Sequence, residues 1–267
     1  MTGRPRIIDS NQGFGEHYQN LCAGDIICCR LRLRQGEEHL LLDLSARGVI
    51  GIPSFTSQLC SRSKAFQTRL FSPYMLPDTE VVYTLHDLTE VITGYGRNRR
   101  REVIVKLERK NSGLGVLKFA SIEDVYSQSI LGLLHFPFVL QPFFPALRDV
   151  RAIIIDDYVE AYERSNPDNF RSNLHCGGTA QPLELTDEQL GLCTLVMERG
   201  DFPYAHIDLM IDQNGDSYFS EINLRGGLRG ARIDAGEYRQ RIKTVEEQLC
   251  RWILKQELDE ADPGKQA

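Results

Sequence analysis

The sequence predicts an α+β protein in which antiparallel strands dominate. Strand patterns outnumber clear helix patterns, and hairpin turns join several of them. Strands and helices do not alternate along the chain as they do in doubly wound α/β folds. The 267 residues carry a formal net charge of −6, and 42% of them are hydrophobic. This composition indicates a folded globular protein and argues against nucleic-acid binding, which needs clustered positive charge.

The first part of the chain predicts short strands. Residues 25–33 have a strand pattern, residues 36–38 a turn pattern and residues 39–44 a second strand pattern, which together indicate a β-hairpin. Residues 61–71 are compatible with a helix, and residues 81–85 with a short strand or a loop.

A lysine and a glycine loop mark the middle of the chain. Residues 102–108 alternate as a half-buried strand does, and Lys106 lies on its polar face. A loop that contains Gly113 and Gly115 follows, and residues 116–119 predict the next strand. Such a loop beside a lysine can bind phosphates through its N–H groups. On these residues alone, a plain hairpin turn is the alternative.

The second half of the chain contains further strands and two helix signals. Residues 150–155 and 158–162 predict a strand pair. Ser121 and Thr186 are helix N-cap candidates, because acidic or amide side chains follow them at the right spacing. Residues 237–258 predict an amphipathic C-terminal helix. Its apolar stripe would consist of Tyr238, Ile242, Val245, Leu249, Trp252 and Ile253.

A hairpin near the C-terminus is the most informative segment. Residues 204–211 and 217–224 have strand patterns, and Asn214 and Gly215 between them favour a two-residue type I′ turn. Counting outward from that turn separates a polar face from a core face. The predicted core face carries Ile207, Leu209, Ile211, Tyr218, Ser220 and Ile222.

Two carboxylates lie opposite each other on the polar face of this hairpin. The count places Asp208 opposite Glu221, and His206 opposite Asn223. Carboxylates at this separation repel each other, so something should neutralise them. Their oxygens suit Mg²⁺, which shares its ligands with water and substrate phosphates. An exposed polar face with incidental acids is the alternative.

Arginine and cysteine residues add two expectations. Residues 169–178 form a glycine-rich loop with Arg171, which fits either an anion-binding loop or an ordinary surface loop. The seven cysteines contain no C-x-x-C pair, and the N-terminus lacks an apolar signal sequence. These features predict a reducing, cytoplasmic compartment. The apolar stretch at residues 130–147 contains three prolines and predicts no membrane span.

These segments resemble, in their order, the ATP-grasp superfamily. The similarity is to the RimK-type α-L-glutamate ligases, which add glutamate to a ribosomal protein. The matching segments are residues 105–107, 112–116, 169–178, 205–209 and 220–223. The resemblance implies two α+β lobes whose antiparallel sheets grip ATP, preceded by a truncated pre-ATP-grasp region. It implies boundaries at residues 1–60, 61–140, 141–258 and 259–267, for the N-terminal region, the two lobes and the tail.

The resemblance also implies a set of site residues. Asp208, Glu221 and Asn223 would hold two Mg²⁺ or Mn²⁺ ions, and Arg171 and Asn173 would stabilise the acyl-phosphate and the leaving phosphate. The implied nucleotide-binding residues are Lys64, Lys106, Ser112, Gly113, Gly115, Gln141, Pro142, Phe143, Asp149 and Arg151. The implied substrate-binding residues are Arg164, Arg225 and Arg229, with a surface role as the alternative for Arg229.

One departure from the family concerns adenine. The family has Glu followed by an aromatic residue at the hinge, where this chain has Gln141, Pro142 and Phe143. The carbonyl of Pro142 and the N–H of Phe143 would still bind the base, because proline lacks only its own N–H.

The predicted function is ATP-dependent ligation of a carboxylate to an amine through an acyl-phosphate. The expected partners are small-molecule or peptide substrates or a protein acceptor, without nucleic acid or membrane, and a homo-oligomer that completes the site. The alternatives are a non-catalytic ATP-binding regulator, a small-molecule kinase of the ATP-grasp type, and an RNA-binding module that uses the basic patch at residues 97–101.

Overall fold

Three sheets make up the protein in the computed structural model, which describes residues 5–98, 102–110 and 113–261. The strands are β1 (Ile7–Ile8), β2 (Ile26–Cys28), β3 (Ile50–Ile52), β4 (Glu80–Val82), β5 (Val103–Leu107), β6 (Val116–Phe119), β7 (Phe138–Pro142), β8 (Arg148–Ile155), β9 (Tyr158–Ser165), β10 (Thr179–Leu183), β11 (Tyr204–Ile211) and β12 (Ser217–Asn223). The helices are α1 (Asn11–His17), α2 (His39–Ala46), α3 (Phe55–Cys60), α4 (Lys64–Phe71), α5 (Leu85–Arg97), α6 (Ile122–Ile130), α7 (Asp187–Gly200) and α8 (Ala235–Ala261). Ser112, residues 99–101 of the basic patch and residues 262–267 of the tail lie outside the described part.

The N-terminal sheet is parallel, in the order β1-β2-β3. The predicted hairpin is therefore wrong, since its second strand is helix α2. Leu41 and Leu44 of α2 are buried while Leu42 is 66% exposed. This spacing of three residues is helical, and strand alternation would have buried Leu42 together with Leu44. A short apolar run cannot be assigned by periodicity alone.

The two other sheets are antiparallel. The four-stranded sheet has the order β4-β7-β5-β6, and the five-stranded sheet has the order β10-β9-β8-β11-β12. The predicted strands at residues 102–108, 116–119, 150–155 and 158–162 are confirmed with small changes in their bounds. Ser121 and Thr186 cap α6 and α7 through reciprocal hydrogen bonds. Both faces of β5 are buried, because α5 and α6 cover one face and the cleft lies on the other.

The β11–β12 hairpin has a longer turn than predicted. Asp212 N–H donates to the Asp216 carbonyl at 2.9 Å, so three residues form the loop, with Gly215 at φ +93°. A β-bulge next to Asp208 then inserts Ser220 as an extra residue in β12. The two changes cancel, so the predicted pairs Asp208–Glu221 and His206–Asn223 are confirmed.

The bulge also corrects the predicted core face. Phe219 is 1% exposed and packs in the core beside Phe71, at a ring distance of 4.7 Å. Ser220 consequently faces the cleft, where its hydroxyl accepts a hydrogen bond from Lys106. Tyr218 and Ser220, both predicted in the core, are only half-buried.

Helices α4 and α8 join the sheets. Gln67 of α4 exchanges two hydrogen bonds of 2.9 Å with the backbone of Ile222 in β12. Helix α8 is confirmed, but Trp252 is 60% exposed and does not belong to its buried stripe. Cys250 of α8 packs on Ile26 and fixes the helix against the N-terminal sheet. No described helix is long and apolar enough to cross a bilayer.

Candidate active site

A row of charged side chains crosses the five-stranded sheet. Asp208 on β11 lies opposite Glu221 on β12 and opposite Arg151 on β8. Two residues before Arg151 on β8, Asp149 lies opposite Arg164 on β9. Because side chains at matched positions of neighbouring strands share a face, these five groups all face the same cleft.

Asp208 is held by two guanidinium groups. Arg151 donates to both carboxylate oxygens, at 2.7 and 2.8 Å, and Arg164 lies 3.0 Å from one of them. Burial raises the pKa of Asp208, but the charges of Arg151 and Arg164 outweigh burial and hold the pKa below its usual range. Arg164 also donates to Asp149, whose pKa is raised, mainly by burial.

Two lysines reach β12 from the other side of the cleft, one at Glu221 and one at Ser220. The Lys64 Nζ atom is 3.5 Å from the Glu221 carboxylate, and the Lys106 Nζ atom donates to the Ser220 hydroxyl at 3.1 Å. Burial lowers the pKa of Lys106 to about 8, and the charge of Glu221 opposes that shift. Both lysine side chains are buried. They lie where they could bind an anionic ligand in the cleft.

Asn223 lies beside Glu221 at the end of β12. Its amide donates to the Glu221 carboxylate at 3.0 Å, so the amide oxygen is turned away from that contact. Asp208, Glu221 and Asn223 together offer oxygen atoms, which are the ligands that Mg²⁺ prefers. In the part of the chain that the structure describes, no group of three or more His, Cys, Asp and Glu residues comes together as a metal site. The set consists instead of two carboxylates and an amide.

This donor set fits a cation that also binds substrate phosphates, because Mg²⁺ is commonly held by one or two carboxylates plus phosphate oxygens. Glu221 and Asn223 are half-buried and face the cleft. Asp208 accepts from Arg151 and Arg164, so its coordination of an ion requires one of these contacts to rearrange.

The loop that contains Gly113 and Gly115 touches the loop at residues 169–178, which we call the arginine loop. Gly113 has φ +75°, and a Cβ atom there would lie 2.1 Å from the Asn173 side-chain nitrogen, so this contact requires glycine. Arg171 donates through Nε to the Val116 carbonyl of β6 at 3.0 Å. The Asn173 side-chain oxygen is buried without a hydrogen-bond partner in the described part. The two loops thus close over the cleft and leave one acceptor unsatisfied.

The expected adenine donor is already engaged. Phe143 N–H donates to the Glu102 carbonyl at 2.9 Å and continues the pairing of β7 with β5. Our expectation that this N–H binds adenine is therefore wrong. In an extended chain, successive N–H groups point in opposite directions, so the Pro142 carbonyl points away from β5.

One cavity of about 820 Å³ collects the predicted residues. Those that line it are Lys106, Gly113, Gln141, Pro142, Phe143, Asp149, Arg151, Arg164, Arg171, Asn173, Asp208, Glu221, Asn223, Arg225 and Arg229. Lys64 reaches the cavity through Glu221, whereas Gly115 lies at the base of the loop, where its carbonyl accepts from Leu107. Arg229 donates to the Leu174 carbonyl at 2.8 Å and braces the arginine loop.

Sequence reasoning missed several residues that line the cavity, and three of them have polar or aromatic groups that bear on the site. The Tyr162 hydroxyl is buried and has no hydrogen-bond partner in the described part. Strand alternation puts Tyr162 on the same face of β9 as Arg164, and this spacing could have predicted its place in the cavity. Phe170 stacks under Arg171 at 4.2 Å. Ser220 was missed because a bulge leaves no clear mark in a single sequence.

The comparisons with known proteins give the family. A model of the RimK-like ATP-grasp domain matches residues 61–247. The chain therefore belongs to the RimK-like ATP-grasp family, and its fold is an α+β ATP-grasp fold with a parallel N-terminal sheet and two antiparallel sheets. The predicted family and fold class are confirmed.

Individual relatives are distant. A protein described as a probable alpha-L-glutamate ligase from Aeromonas salmonicida is 27% identical over 187 residues, which cover 66% of this chain and 60% of that protein. A glutathione synthetase from Agrobacterium fabrum is 31% identical over 157 residues, which cover 52% of this chain and 46% of that protein. The chain thus spans about half to three-fifths of these curated relatives.

Among solved structures, the ATP-grasp ligase PsnB, complexed with Mg, ADP and a phosphomimetic variant of its minimal precursor, has a TM-score of 0.54. The match is 20% identical and covers 79% of this chain and 67% of that one. At this identity the likeness concerns the fold alone.

Proposed function

We propose that this protein is a Mg-ATP-dependent ligase that joins a carboxylate to an amine through an acyl-phosphate. One observation carries the proposal: two carboxylates, an amide, two lysines and an arginine loop converge on one cavity across two sheets. Phosphoryl transfer is catalysed mainly by positioning and by charge stabilisation, and this arrangement supplies both.

Asp208, Glu221 and Asn223 would hold Mg²⁺. The ion would neutralise phosphate charge and polarise the γ-phosphoryl group. Lys64 and Lys106, which reach the cleft from the N-terminal side, would bind phosphate oxygens. The fit of the donor set and the positions of both lysines support this assignment.

The reaction has two balanced steps. A substrate carboxylate oxygen attacks the γ-phosphorus, the bond to the bridging oxygen breaks, and ADP leaves. An amine then attacks the acyl carbon, the carbon–oxygen bond breaks, and phosphate leaves while the amine loses its proton. Arg171 and Asn173, on the loop that closes over the cleft, would bind the transferring phosphoryl group. No protein nucleophile takes part.

We assign one adenine contact to the Pro142 carbonyl. This carbonyl points away from β5, on the side opposite to the Phe143 N–H. Pro142 lines the cavity, which supports the assignment.

The substrates belong to the proposal as well. PsnB was also solved with a precursor peptide and AMPPNP, which makes a peptide substrate one candidate here, beside free amino acids. The domain boundaries at residues 61, 141 and 259, the reducing compartment and the homo-oligomer remain predictions.

The test is ADP release with Mg-ATP and pooled amino acids or acidic peptides, with mass spectrometry of the products. We expect substrate-dependent ADP release, a condensed product and a loss of about a thousandfold in Glu221→Gln, because the charge acts in the transition state. Glu198→Gln, an equal charge change on the exposed side of α7, should retain full activity. A stable phosphorylated product would indicate a kinase instead. ATP binding without turnover on any pool would favour the regulator.

A further inference from the structure

One tyrosine hydroxyl in the wall of the cavity has no partner. Tyr162 is 2% exposed and lines the cavity, and among the described residues its buried hydroxyl makes no hydrogen bond. Tyr162 lies directly opposite Arg151 on β8, but the guanidinium of Arg151 donates to Asp208 instead. Arg164, two residues along β9, donates to Asp149. A buried hydroxyl without a partner is unfavourable, so a polar ligand in the cavity would complete it.

A second unpaired oxygen lies on the arginine loop next to this tyrosine. The Asn173 side-chain oxygen is buried and has no hydrogen-bond partner in the part of the chain that the structure describes. Gly230 touches both places, since a Cβ atom there would lie 2.7 Å from the Leu174 side chain and 3.3 Å from the Tyr162 ring. Arg229 donates to the Leu174 carbonyl at 2.8 Å and holds the loop against β9. Both unpaired oxygens therefore belong to the part of the cavity where the arginine loop meets β9.

The chemistry of the two oxygens indicates which group would bind them. An amide oxygen only accepts hydrogen bonds, and a hydroxyl oxygen can accept them as well. Ionised carboxylate and phosphate groups have no hydrogen to donate, whereas a primary amine has two N–H groups. A substrate group with N–H donors therefore suits this part of the cavity better than an anion does.

The charges near Tyr162 favour the neutral form of such an amine. Arg151 and Arg164 lie on the same face of the sheet as Tyr162, and their carboxylate partners Asp208 and Asp149 are already hydrogen-bonded to them. An ammonium ion beside Tyr162 would meet two cations, which disfavour its charge. A neutral amine keeps the lone pair that attack on an acyl carbon requires.

We propose that the Tyr162 hydroxyl binds the attacking amine of the ligase, with the Asn173 oxygen as the second acceptor. This inference rests on the proposed ligase function. Each oxygen accepts one N–H of a primary amine, and the lone pair stays free to attack the acyl carbon. The carbon–nitrogen bond then forms, the carbon–oxygen bond to phosphate breaks, and the departing phosphate takes the proton that the nitrogen loses. The substrate class is a primary amine, because a secondary amine can satisfy only one of the two oxygens.

The experiment compares hydroxylamine with N-methylhydroxylamine, which has one N–H group fewer. Mg-ATP and the pooled amino acids and acidic peptides are present, and mass spectrometry measures the hydroxamates. We expect the wild type to use hydroxylamine with about tenfold higher kcat/KM, since the N-methyl compound loses one hydrogen bond. In Tyr162→Phe the preference should fall to about twofold, because one acceptor remains, and the KM for Mg-ATP should stay within about twofold of the wild type.

Tyr126→Phe is the matched control, because Tyr126 is half-buried on α6 and is not among the residues that line the cavity. It should keep the wild-type preference for hydroxylamine. Melting temperatures establish that both variants are folded.

The source of the amine is distinguished by competition with hydroxylamine. Loss of hydroxamate on addition of glycinamide indicates an α-amine substrate, and loss on addition of Nα-acetyl-lysinamide indicates a side-chain amine. Competition by neither compound contradicts a subsite for primary amines.

Three further results overturn the inference while the ligase function stands. They are a wild type without preference for hydroxylamine, an unchanged preference in Tyr162→Phe, and an equal loss of preference in Tyr126→Phe. A wild type that binds Mg-ATP but releases no ADP with any substrate refutes the proposed function instead, and the amine subsite with it.

Discussion

The two ends of the cavity treat charge in opposite ways. We use the name phosphate end for Lys64, Lys106, Arg151, Asp208, Glu221 and Asn223. We use the name arginine end for Arg30, Arg62 and Arg225, of which only Arg225 lines the cavity. At the phosphate end each carboxylate meets a cation, Asp208 through Arg151 and Glu221 through Lys64. At the arginine end three guanidiniums share one buried carboxylate.

The difference indicates what each end binds. A balanced site suits a ligand that arrives with its own counter-ion, as ATP does with Mg²⁺, since ligand and site then exchange partners without leaving a net charge. An unbalanced positive site suits a simple anion. We therefore expect the two ends to respond differently to mutation and to pH.

The largest effect on stability should come from Asp208→Asn, which removes the balance at the phosphate end. We expect a loss of about 3 kcal/mol in the free energy of unfolding at pH 7, because two buried guanidiniums lose their shared partner. The pKa of Asp208 is depressed in the folded state, so its contribution is present above the unfolded pKa of about 3.9 and is lost as pH falls further. The difference between wild type and variant should narrow below pH 4.

Urea unfolding at pH 7, 5 and 3.5 measures this prediction. Asp157→Asn is the control, because Asp157 is 84% exposed and pairs with Arg241 at the surface. It should change stability by less than about 0.5 kcal/mol. Equal losses in the two variants would contradict the assignment of a buried, balanced charge network.

A smaller effect concerns the dependence of Mg-ATP affinity on pH at the phosphate end. Burial lowers the pKa of Lys106 to about 8. Its positive charge is therefore present below pH 8 and is lost as pH rises, and we expect Mg-ATP affinity to fall about tenfold between pH 7 and 9. Arginine stays charged over this range, so the arginines that line the cavity should add no pH dependence of their own.

Calorimetric titrations of Mg-ATP at pH 7, 8 and 9 test this prediction. Lys106→Met should bind Mg-ATP more weakly at pH 7 and should lose most of the pH dependence. A wild-type affinity that stays constant from pH 7 to pH 9, or an unchanged pH dependence in Lys106→Met, would contradict a role for the Lys106 charge in phosphate binding.

The smallest effect concerns the loop contact above the phosphate end. Gly113→Ala should weaken Mg-ATP binding about fivefold, because the new Cβ atom displaces Asn173. Gly132→Ala is the matched control: Gly132 has φ +72° but no atom within 4 Å of the new Cβ. Both variants should lose about 1 kcal/mol of stability from the left-handed backbone, and only the first should lose affinity. Equal affinities would mean that the contact has no part in binding.

The sequence predicted the charged face of the β11–β12 hairpin because strand alternation and a glycine turn leave few registers open. The predicted pairing of Asp208 with Glu221 is correct although the turn has one more residue than predicted, because the bulge at Ser220 compensates for the extra residue. A bulge depends on tertiary packing, here of Phe219 on Phe71, and one sequence does not reveal it.

Other features were out of reach for similar reasons. Helix α2 was predicted as a strand because Leu41 and Leu44 lie in a short apolar run that fits both periods. The hydrogen bond of the Phe143 N–H follows from its pairing with Glu102, which lies about forty residues earlier in the chain, and no local pattern encodes such a pairing.

The central claim is that a carboxylate oxygen attacks the γ-phosphate. The direct measurement uses a substrate whose carboxylate is labelled with ¹⁸O, followed by mass spectrometry of the released phosphate. We predict that each phosphate carries one ¹⁸O atom, because the acyl carbon–oxygen bond breaks in the second step. Unlabelled phosphate, with the label retained in the product, would contradict an acyl-phosphate and with it the proposed ligase mechanism.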